Sequence, residues 1–332
     1  MNTSIKAIIP LGFPWQTQDP FLFCVYHADH FPKGNEAMGP AVSLAGRNLG
    51  NDFTVKDGWR MYHGKTVPGF PSHPHKGFET VTIVNKGFCD HSDSLGAAGR
   101  FGLGDVQWMT AGGGVQHCEM FPLLHTDKEN PLELFQIWLN LPKKSKSVAP
   151  HFAMLWHEDI PIVTTENSSV KVIAGNYKNT IALKPAPDSW AADLENEVAI
   201  WNIHVAAEST YTLPKAKSAV NRTLYFYEGE TIRIEDQTIR PNHGILLHPE
   251  EDVIITIGSK SAHFLVLQGH PIEEPVAKYG PFVMNTDEEI QAAMQEYQRT
   301  QFGGWPWPKA DNVHPRDKGR FAKYPDGTIV EK

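Results

Sequence analysis

The sequence predicts an all-β protein built as a two-part β-sandwich, with a few short helices and a C-terminal extension. Glycine and proline are frequent, with 27 and 25 residues among 332, and they separate short runs rich in Val, Ile, Thr, Phe and Tyr. Short apolar runs bounded by turn residues are typical of sandwiches and barrels. A weak internal repeat further predicts that two copies of one β unit follow each other along the chain.

Nine runs are predicted as strands because each combines β-branched or aromatic residues and lies between turn signals such as residues 96–99 and 241–244. They are residues 80–85, 105–110, 132–141, 170–175, 199–206, 223–228, 231–234, 253–258 and 263–267.

One helix is predicted over residues 287–298, capped by Asn285 or Thr286 and carrying acidic residues in its first turn. A shorter helical stretch is predicted at 190–196. From Gly303 onward the chain is polar and rich in Pro and Gly, which indicates a surface arm. Its expected contacts with the body are Trp305, Trp307 and Phe321.

The repeat consists of three motifs in the same order in each half. ETVTIVNKG, LGDVQWMTA and LFQIWLNLP are followed later by TLYFYEGE, HGILLHPEEDVIITI and AHFLVLQGHP. The run KKSKSVAP at 143–150 indicates an exposed linker between the copies. The predicted organisation is therefore an N-terminal metal-binding domain at 1–145, a second domain at 146–302 without metal ligands, and a tail at 303–332.

Composition and charge limit the classes of function. Hydrophobic residues are 41% and charged residues 20%, so a chain of this length can bury a core without a metal staple. The formal net charge is -8 with no long basic run, which disfavours direct nucleic-acid binding. The charge does not exclude a complex in which another protein makes the contact with DNA.

The cysteines and the N-terminus predict a cytoplasmic protein. Cys24, Cys89 and Cys118 form no C-x-x-C pair, which indicates reduced thiols. The first residues lack the apolar core and cleavage site of a signal peptide. No apolar stretch is long enough for a membrane helix.

Two pairs of metal-ligating residue types stand at a spacing of two. His73 and His75 flank Pro74, and His117 and Glu119 follow three glycines. Residues two apart on an extended chain project to the same face. Each pair can therefore direct both side chains at one metal ion.

Three imidazoles and one carboxylate suit a single divalent transition metal such as Fe, Mn, Ni, Cu or Zn. Four protein ligands leave positions open on an octahedral ion, which could take a chelating substrate or dioxygen. The second half has no His-x-His pair, so no metal is expected there. The histidines present in that half include His243, His248, His263 and His270.

Glu79 competes with Glu119 for the fourth ligand position. It lies four residues after His75, about 13 Å along a straight strand, so it reaches the metal only if the chain bends. Glu119 needs no bend and is preferred, which leaves Glu79 as an acceptor for an imidazole N–H or as a base. Three aromatic residues flank the ligands, namely Phe70, Phe78 and Trp108. For these residues, core packing is favoured over stacking on a substrate.

Other polar residues near the pairs have simpler explanations. Cys118 should point away from the metal by alternation, as an inert buried thiol. An ordinary turn explains Asp90-His91 and Asp93-Ser94 as well as a site would. The three glycines lack the Lys-Ser/Thr and the helix of a phosphate loop.

Longer motifs now connect these residues with a known family. FPSHPHKGFETVTIV at 70–84, DSLGAAGRFGLGDVQWMTAGGGVQHCEM at 93–120 and GPFVMNT at 280–286 closely resemble the signature of the pirin family. The resemblance implies a bicupin, two tandem cupin domains with the metal in the N-terminal one. It places the family's four ligands on His73, His75, His117 and Glu119.

The resemblance also implies a function. Pirins usually hold iron, so Fe(II) is the expected ion, and some members resemble quercetin 2,3-dioxygenases. The implied activity is ring cleavage of a flavonol or catechol substrate, with Glu79 or Glu119 accepting a proton. The alternative is a redox- or metal-sensing regulator that acts through protein partners without turnover.

Overall fold

The computed structural model describes residues 3–217 and 219–332, and the structure is mostly β. In the first part of the chain the strands are β1 (Ile5–Pro10), β2 (Phe21–Phe31), β3 (Gly69–His75), β4 (Phe78–Lys86), β5 (Phe88–Asp93), β6 (Ala98–Gly102), β7 (Val106–Thr110), β8 (Val115–Met120), β9 (Asn130–Asn140) and β10 (His151–Leu155).

The second part continues the same pattern of short strands. These are β11 (Ile162–Thr164), β12 (Ser168–Ala174), β13 (Asn176–Tyr177), β14 (Thr180–Ile181), β15 (Ala199–Val205), β16 (Thr210–Leu213), β17 (Asn221–Glu228), β18 (Ile232–Ile234), β19 (Gln237–Ile239), β20 (His243–Leu247), β21 (Val253–Ile257), β22 (Ala262–Gly269), β23 (Ala277–Tyr279), β24 (Phe282–Met284), β25 (Phe321–Lys323) and β26 (Ile329–Glu331). Each of the nine predicted strands overlaps one of these, which confirms the all-β prediction.

The chain divides into two compact units. Unit 1 comprises Met1–Val25, Ile137–Asn140 and Glu158–Glu273, and unit 2 comprises Tyr26–Gln136, Leu141–His157 and Glu274–Lys332. The linear domain boundaries predicted near residues 145 and 302 stay a prediction.

Unit 2 contains most of a five-stranded sheet, with strand order β10-β7-β4-β9-β2, and a six-stranded sheet, with order β26-β25-β6-β5-β8-β3. Its main apolar cluster is rich in aromatic side chains, among them Phe31, Phe101 and Phe152. The strands that carry the predicted metal ligands, β3 and β8, lie side by side in the six-stranded sheet.

Unit 1 pairs a seven-stranded sheet, with order β1-β20-β17-β22-β15-β12-β11, with a four-stranded sheet, with order β16-β21-β18-β19. A continuous apolar core fills it, including Leu224, Phe226, Ile255, Phe264 and Val266. Alternate residues of β17 and β22 enter this core, as expected for strands with one buried face.

The helix α1 (Asp287–Thr300) forms where the sequence predicts one. Its N-cap is Thr286, whose hydroxyl accepts a hydrogen bond from the Glu289 N–H at 3.2 Å. Ile290 and Ala293 are buried on one side of the helix. The stretch at 190–196 is two short 3-10 helices, Trp190–Ala192 and Leu194–Asn196. Lys143–Ser145 and Gln301–Gly303 form two more.

The C-terminal segment, residues 303–332, is built into unit 2, whereas the sequence predicts a surface arm. Strand β25 pairs with β6 and with β26. The buried Arg100 guanidinium donates hydrogen bonds to the carbonyls of Pro315 at 2.9 Å and Lys318 at 2.7 Å. Polar composition concealed this packing because only a few side chains of the segment are buried, among them Asn312, His314, Phe321 and Ala322, and several of its contacts use backbone carbonyls.

Within the described residues, no helix is long and apolar enough to cross a membrane.

Candidate metal centre

Pairing between β3 and β8 places the two predicted ligand pairs side by side. His73 lies directly opposite His117 in the antiparallel register, and residues directly opposite share one face of a sheet. The register shifts between Phe70 and His73. This bulge adds a residue to β3 and brings Phe70 opposite Glu119, on the same face as the histidines.

Three imidazoles converge at this position. Ring nitrogens of His73, His75 and His117 lie within 4.8 Å of one another. Their ring centroids are separated by 4.5 to 4.8 Å. Among the residues that the structure describes, no other group of three or more His, Cys, Asp or Glu side chains lies close enough together to hold an ion.

Burial keeps these imidazoles neutral. It lowers the pKa of His73 to about 4, although the hydrogen bond to the Pro71 carbonyl opposes the shift. It lowers the pKa of His75 and His117 well below the ordinary value, and neighbouring imidazoles add to the effect. Neutral imidazole is the form that binds a metal.

The hydrogen bonds of two of these rings fit metal binding. The Nδ1–H of His73 donates to the Pro71 carbonyl at 2.8 Å, which leaves the lone pair on Nε2. His117 is fully buried, and neither of its ring nitrogens has a hydrogen-bond partner among the described residues. A buried polar group without a partner is costly, and an ion held by the three rings would remove that cost.

Glu119 lies beside the cluster and is held by two donors. Its Oε2 is 3.8 Å from His117 Nε2. Thr82 Oγ1 donates to its Oε1 at 3.0 Å, and the side-chain amide of Gln136 donates to its Oε2. Burial raises the pKa of Glu119, and the electrostatic influence of His91 and both hydrogen bonds oppose this rise. A role as fourth ligand stays a prediction that this position favours.

Glu79 lies on the other face of β4. Thr82 points toward Glu119, and side chains alternate along a strand, so residues 79, 81 and 83 share the opposite face. The buried Glu79 carboxylate accepts a hydrogen bond from Thr110 Oγ1 at 2.7 Å. The structure does not bring Glu79 to the face of the cluster, so its role as a base stays a prediction without geometric support.

The aromatic residues predicted to flank the ligands do not all lie on the face of the cluster. The Phe78 ring lies 5.0 Å from the His75 ring, and the Phe70 ring lies 6.3 Å from the His73 ring. Trp108 lies opposite Val81 on β7, which places it with Glu79 on the other face. Phe70 and Phe78 therefore border the cluster and Trp108 does not.

Two further residues border the site, His91 and Asp93, for which the sequence analysis left a turn and a site equally open. Strand β5 pairs with β8 so that His91 lies opposite Glu119 and Asp93 lies opposite His117. Both are fully buried, and His91 Nε2 lies 3.1 Å from Asp93 Oδ2. The His91 and His117 rings are 5.5 Å apart. Their spacing of two indicated that both side chains share one face of a strand, but not which residues that face meets.

The C-terminal segment supports β5 from residues far along the chain. Asn312 Nδ2 donates to Ser92 Oγ at 2.9 Å, and the His314 N–H donates to Asp90 Oδ2 at 2.8 Å. Trp307 Nε1 donates to the Asp93 carbonyl at 2.7 Å. The segment thus fixes the strand that carries the His91–Asp93 pair.

Comparison with known proteins agrees with this geometry. The Pirin family profile matches residues 15–139, and the profile of the Pirin C-terminal cupin domain matches residues 200–303. The chain belongs to the pirin family. A pirin-like protein of Solanum lycopersicum is 37% identical over 235 residues, which are 69% of this chain and 75% of that protein. Human pirin is 32% identical over 247 residues, 73% and 80% of the two chains.

A solved structure gives a further match. The quercetin 2,3-dioxygenase from Acinetobacter baumannii superposes with a TM-score of 0.69 at 28% identity, covering 91% of this chain and 96% of that one. The family and fold comparisons confirm the predicted pair of cupin domains.

Proposed function

We propose that this pirin is a metal-dependent oxidoreductase that cleaves the heterocycle of a flavonol with dioxygen, at a single non-haem iron ion. The observation that carries the proposal is the cluster of His73, His75 and His117, in which His73 is half-buried and the other two are buried. The pKa of His117 is lowered by burial, and its ring nitrogens have no hydrogen-bond partner among the described residues. The likeness to a protein named quercetin 2,3-dioxygenase supports the choice of substrate.

The side chains of this chain would have distinct tasks. His73, His75 and His117 would hold the ion, which when bound supplies Lewis acidity toward a flavonol hydroxyl and redox chemistry with dioxygen. Glu119 would complete the ligand set or accept the hydroxyl proton of the substrate. Thr82 donates to Glu119 and so fixes the orientation of its carboxylate.

The walls of the site suit a planar aromatic substrate. Phe70 and Phe78 border the histidines. The centroid of the Phe70 ring lies 5.2 Å from that of Tyr62 and 6.1 Å from that of Phe121. Apolar walls with a few convergent polar groups are typical of small-molecule sites. Flavonols and catechols have the required shape and can chelate an ion through adjacent oxygens.

Oxygen uptake by iron-loaded protein with quercetin tests the proposal. Wild type should consume oxygen while the flavonol absorption decays, and His117→Ala should lose both. His248→Ala, at an exposed position of unit 1, is the matched control and should keep full activity. Iron-loaded wild type that takes up no oxygen with any flavonol or catechol would refute the dioxygenase and favour the metal-sensing regulator.

The two carboxylates can be separated in the same assay. Glu119→Gln should slow turnover by about 100-fold or more if its carboxylate accepts the proton, and should also lose iron if it is a ligand. Glu79→Gln should retain both iron and most activity because Glu79 lies on the other face of β4. An iron-free Glu79→Gln protein with an intact fold would show that the wrong carboxylate was chosen.

A further inference from the structure

The GPFVMNT motif at 280–286 lies against the residues that follow His75. The Val283 N–H donates to the Lys76 carbonyl at 3.0 Å, and the Lys76 N–H donates to the Pro281 carbonyl at 3.3 Å. The Pro281 carbonyl is also close enough to the His75 ring to oppose the lowering of its pKa by burial. The motif therefore borders one of the three converging imidazoles.

The turn after His75 fits closely against strand β24 of this motif. Gly77 has a φ of +86°, and a Cβ atom at this position would lie 1.9 Å from the Val283 carbonyl oxygen. Glycine alone is compatible with both this conformation and this close approach. The packing brings the carbonyls of Gly77 and Val283 within reach of a single donor.

Lys146 is that donor. The sequence predicts an exposed linker at 143–150, but within this run Lys146 is only 1% exposed. Its Nζ donates to the Gly77 carbonyl at 2.8 Å and to the Val283 carbonyl at 3.2 Å. Burial lowers its pKa to about 8, so the amine is still charged at neutral pH. A buried charge is costly unless it is hydrogen-bonded, so the ammonium and the two carbonyls depend on one another.

A second buried lysine connects the same turn with the other ligand strand. Lys76, which directly follows His75, is 6% exposed. Its Nζ donates to the carbonyl of Gly113, in the turn before β8, the strand that carries His117. The same Nζ lies 3.2 Å from a carboxylate oxygen of Glu296 on helix α1. Buried ammonium groups therefore fix the backbone beside two of the imidazoles.

We propose that Lys146 is a positioning residue of the metal site. By binding the Gly77 and Val283 carbonyls, it holds the turn after His75 against β24 and so sets where the His75 imidazole meets the ion. This inference rests on the metal site of the proposed function but not on the reaction proposed there. Groups that orient a ligand typically change metal affinity by 10-fold to 100-fold when they are removed.

Cobalt(II) is a suitable probe because its visible absorption depends on the number and the geometry of its ligands. Lys146→Met keeps the length of the side chain and removes its donors. The cobalt dissociation constant should rise by about 10-fold or more, and the visible spectrum of the fully loaded protein should change. Lys144→Met, two residues away and exposed, is the matched control and should equal wild type in both measurements.

Two further variants separate positioning from general stability. Phe31→Leu, in the apolar cluster of unit 2, should lower the midpoint of urea unfolding without changing the cobalt spectrum or affinity. Lys146→Gln keeps N–H donors on a shorter side chain, so its affinity should lie between those of Lys146→Met and wild type. If Lys146→Met does not fold, Lys146→Gln is compared with wild type instead.

The proposal is overturned if the folded Lys146 variant binds cobalt with wild-type affinity and spectrum. It is also overturned if Phe31→Leu shows the same changes, because the effect would then be general destabilisation. Wild-type protein that binds no cobalt would contradict the metal site itself. Lack of oxygen uptake by iron-loaded protein would contradict the reaction alone, so the failures can be told apart.

Discussion

The two units repeat three strand motifs in the same order, but the interior residues of these motifs differ in polarity. The motif ETVTIVNKG of unit 2 and the motif TLYFYEGE of unit 1 can be aligned on Gly87 and Gly229. Five positions before the glycine, unit 2 has Thr82, which donates a hydrogen bond to Glu119. At the same position unit 1 has Leu224, which lies in the apolar core.

This difference shows how one scaffold supports two kinds of interior. A buried carboxylate requires donors, because an unpaired charge in a protein interior is strongly unfavourable. Unit 2 provides them for Glu119 through Thr82 and Gln136. Unit 1 needs no such network around Leu224, since its interior cluster is apolar.

The largest expected effect is on metal content. His75→Ala should lower the amount of iron retained after dialysis by at least about 100-fold, because it removes one of three converging imidazoles. His263→Ala, in unit 1, should retain the wild-type amount, close to one ion per chain. Elemental analysis measures both. A second ion per chain, lost in His263→Ala, would break the contrast between the units.

The sequence predicted which candidate ligands lie together because their geometry is local. His73 and His75, like His117 and Glu119, project to one face through the simple alternation of an extended strand. The prediction could not identify His91 and Asp93, since their place depends on the pairing of β5 with β8. Pairing between distant segments leaves no signal in the local pattern.

Glu79 and the C-terminal segment show the same limit. Alternation tells which residues of β4 share a face but not which face meets the histidines, so Glu79 stayed a candidate. The segment looked like an arm because its composition is polar. Its burial depends on single contacts, such as the Arg100 guanidinium with the Pro315 and Lys318 carbonyls, and composition does not report these.

Acid should destabilise metal-free unit 2 through its buried imidazoles. Unfolded histidine binds a proton near pH 6.5, whereas burial lowers the pKa of His73 to about 4. The unfolded state therefore binds more protons between these values, so stability falls as the pH drops through this window. His73 alone should contribute a loss of about 1 to 2 kcal/mol between pH 7 and pH 5.

Urea unfolding of metal-free protein at the two pH values measures this loss. His73→Asn should unfold with a smaller pH dependence than wild type, while His248→Ala should match wild type. Identical pH dependence in His73→Asn and wild type would show that His73 is not held neutral by the fold.

Exchanging the interior residues of the two units tests the comparison directly. Thr82→Leu gives unit 2 the residue of unit 1 and removes a donor to Glu119, which should cost about 1 to 3 kcal/mol of unfolding free energy. It should also weaken iron binding by about 10-fold to 100-fold, the usual effect of disturbing a group that orients a ligand.

Leu224→Thr, the reverse exchange, places a hydroxyl in the apolar core of unit 1. It should lower stability by about 2 to 4 kcal/mol through lost burial and an unpaired hydroxyl, without changing iron affinity. Chemical denaturation and metal competition measure the two quantities. Iron affinity that falls equally in both variants would show that the effect is general destabilisation.

The smallest expected effect concerns the C-terminal segment, which belongs to unit 2. Asn312 is buried and donates through Nδ2 to Ser92 Oγ at 2.9 Å, on the strand that carries His91 and Asp93. Asn312→Ala should lower the unfolding free energy by about 1 kcal/mol, the net value of one hydrogen bond. Asn51→Ala, at an exposed position, is the matched control and should change it by less than about 0.5 kcal/mol.

Hydrogen exchange should show faster opening of β5 in Asn312→Ala and unchanged protection of β17 in unit 1, because the lost contact is local to β5. Equal acceleration at both strands would mean that the segment stabilises the whole chain, and no loss at either would mean that the contact is dispensable.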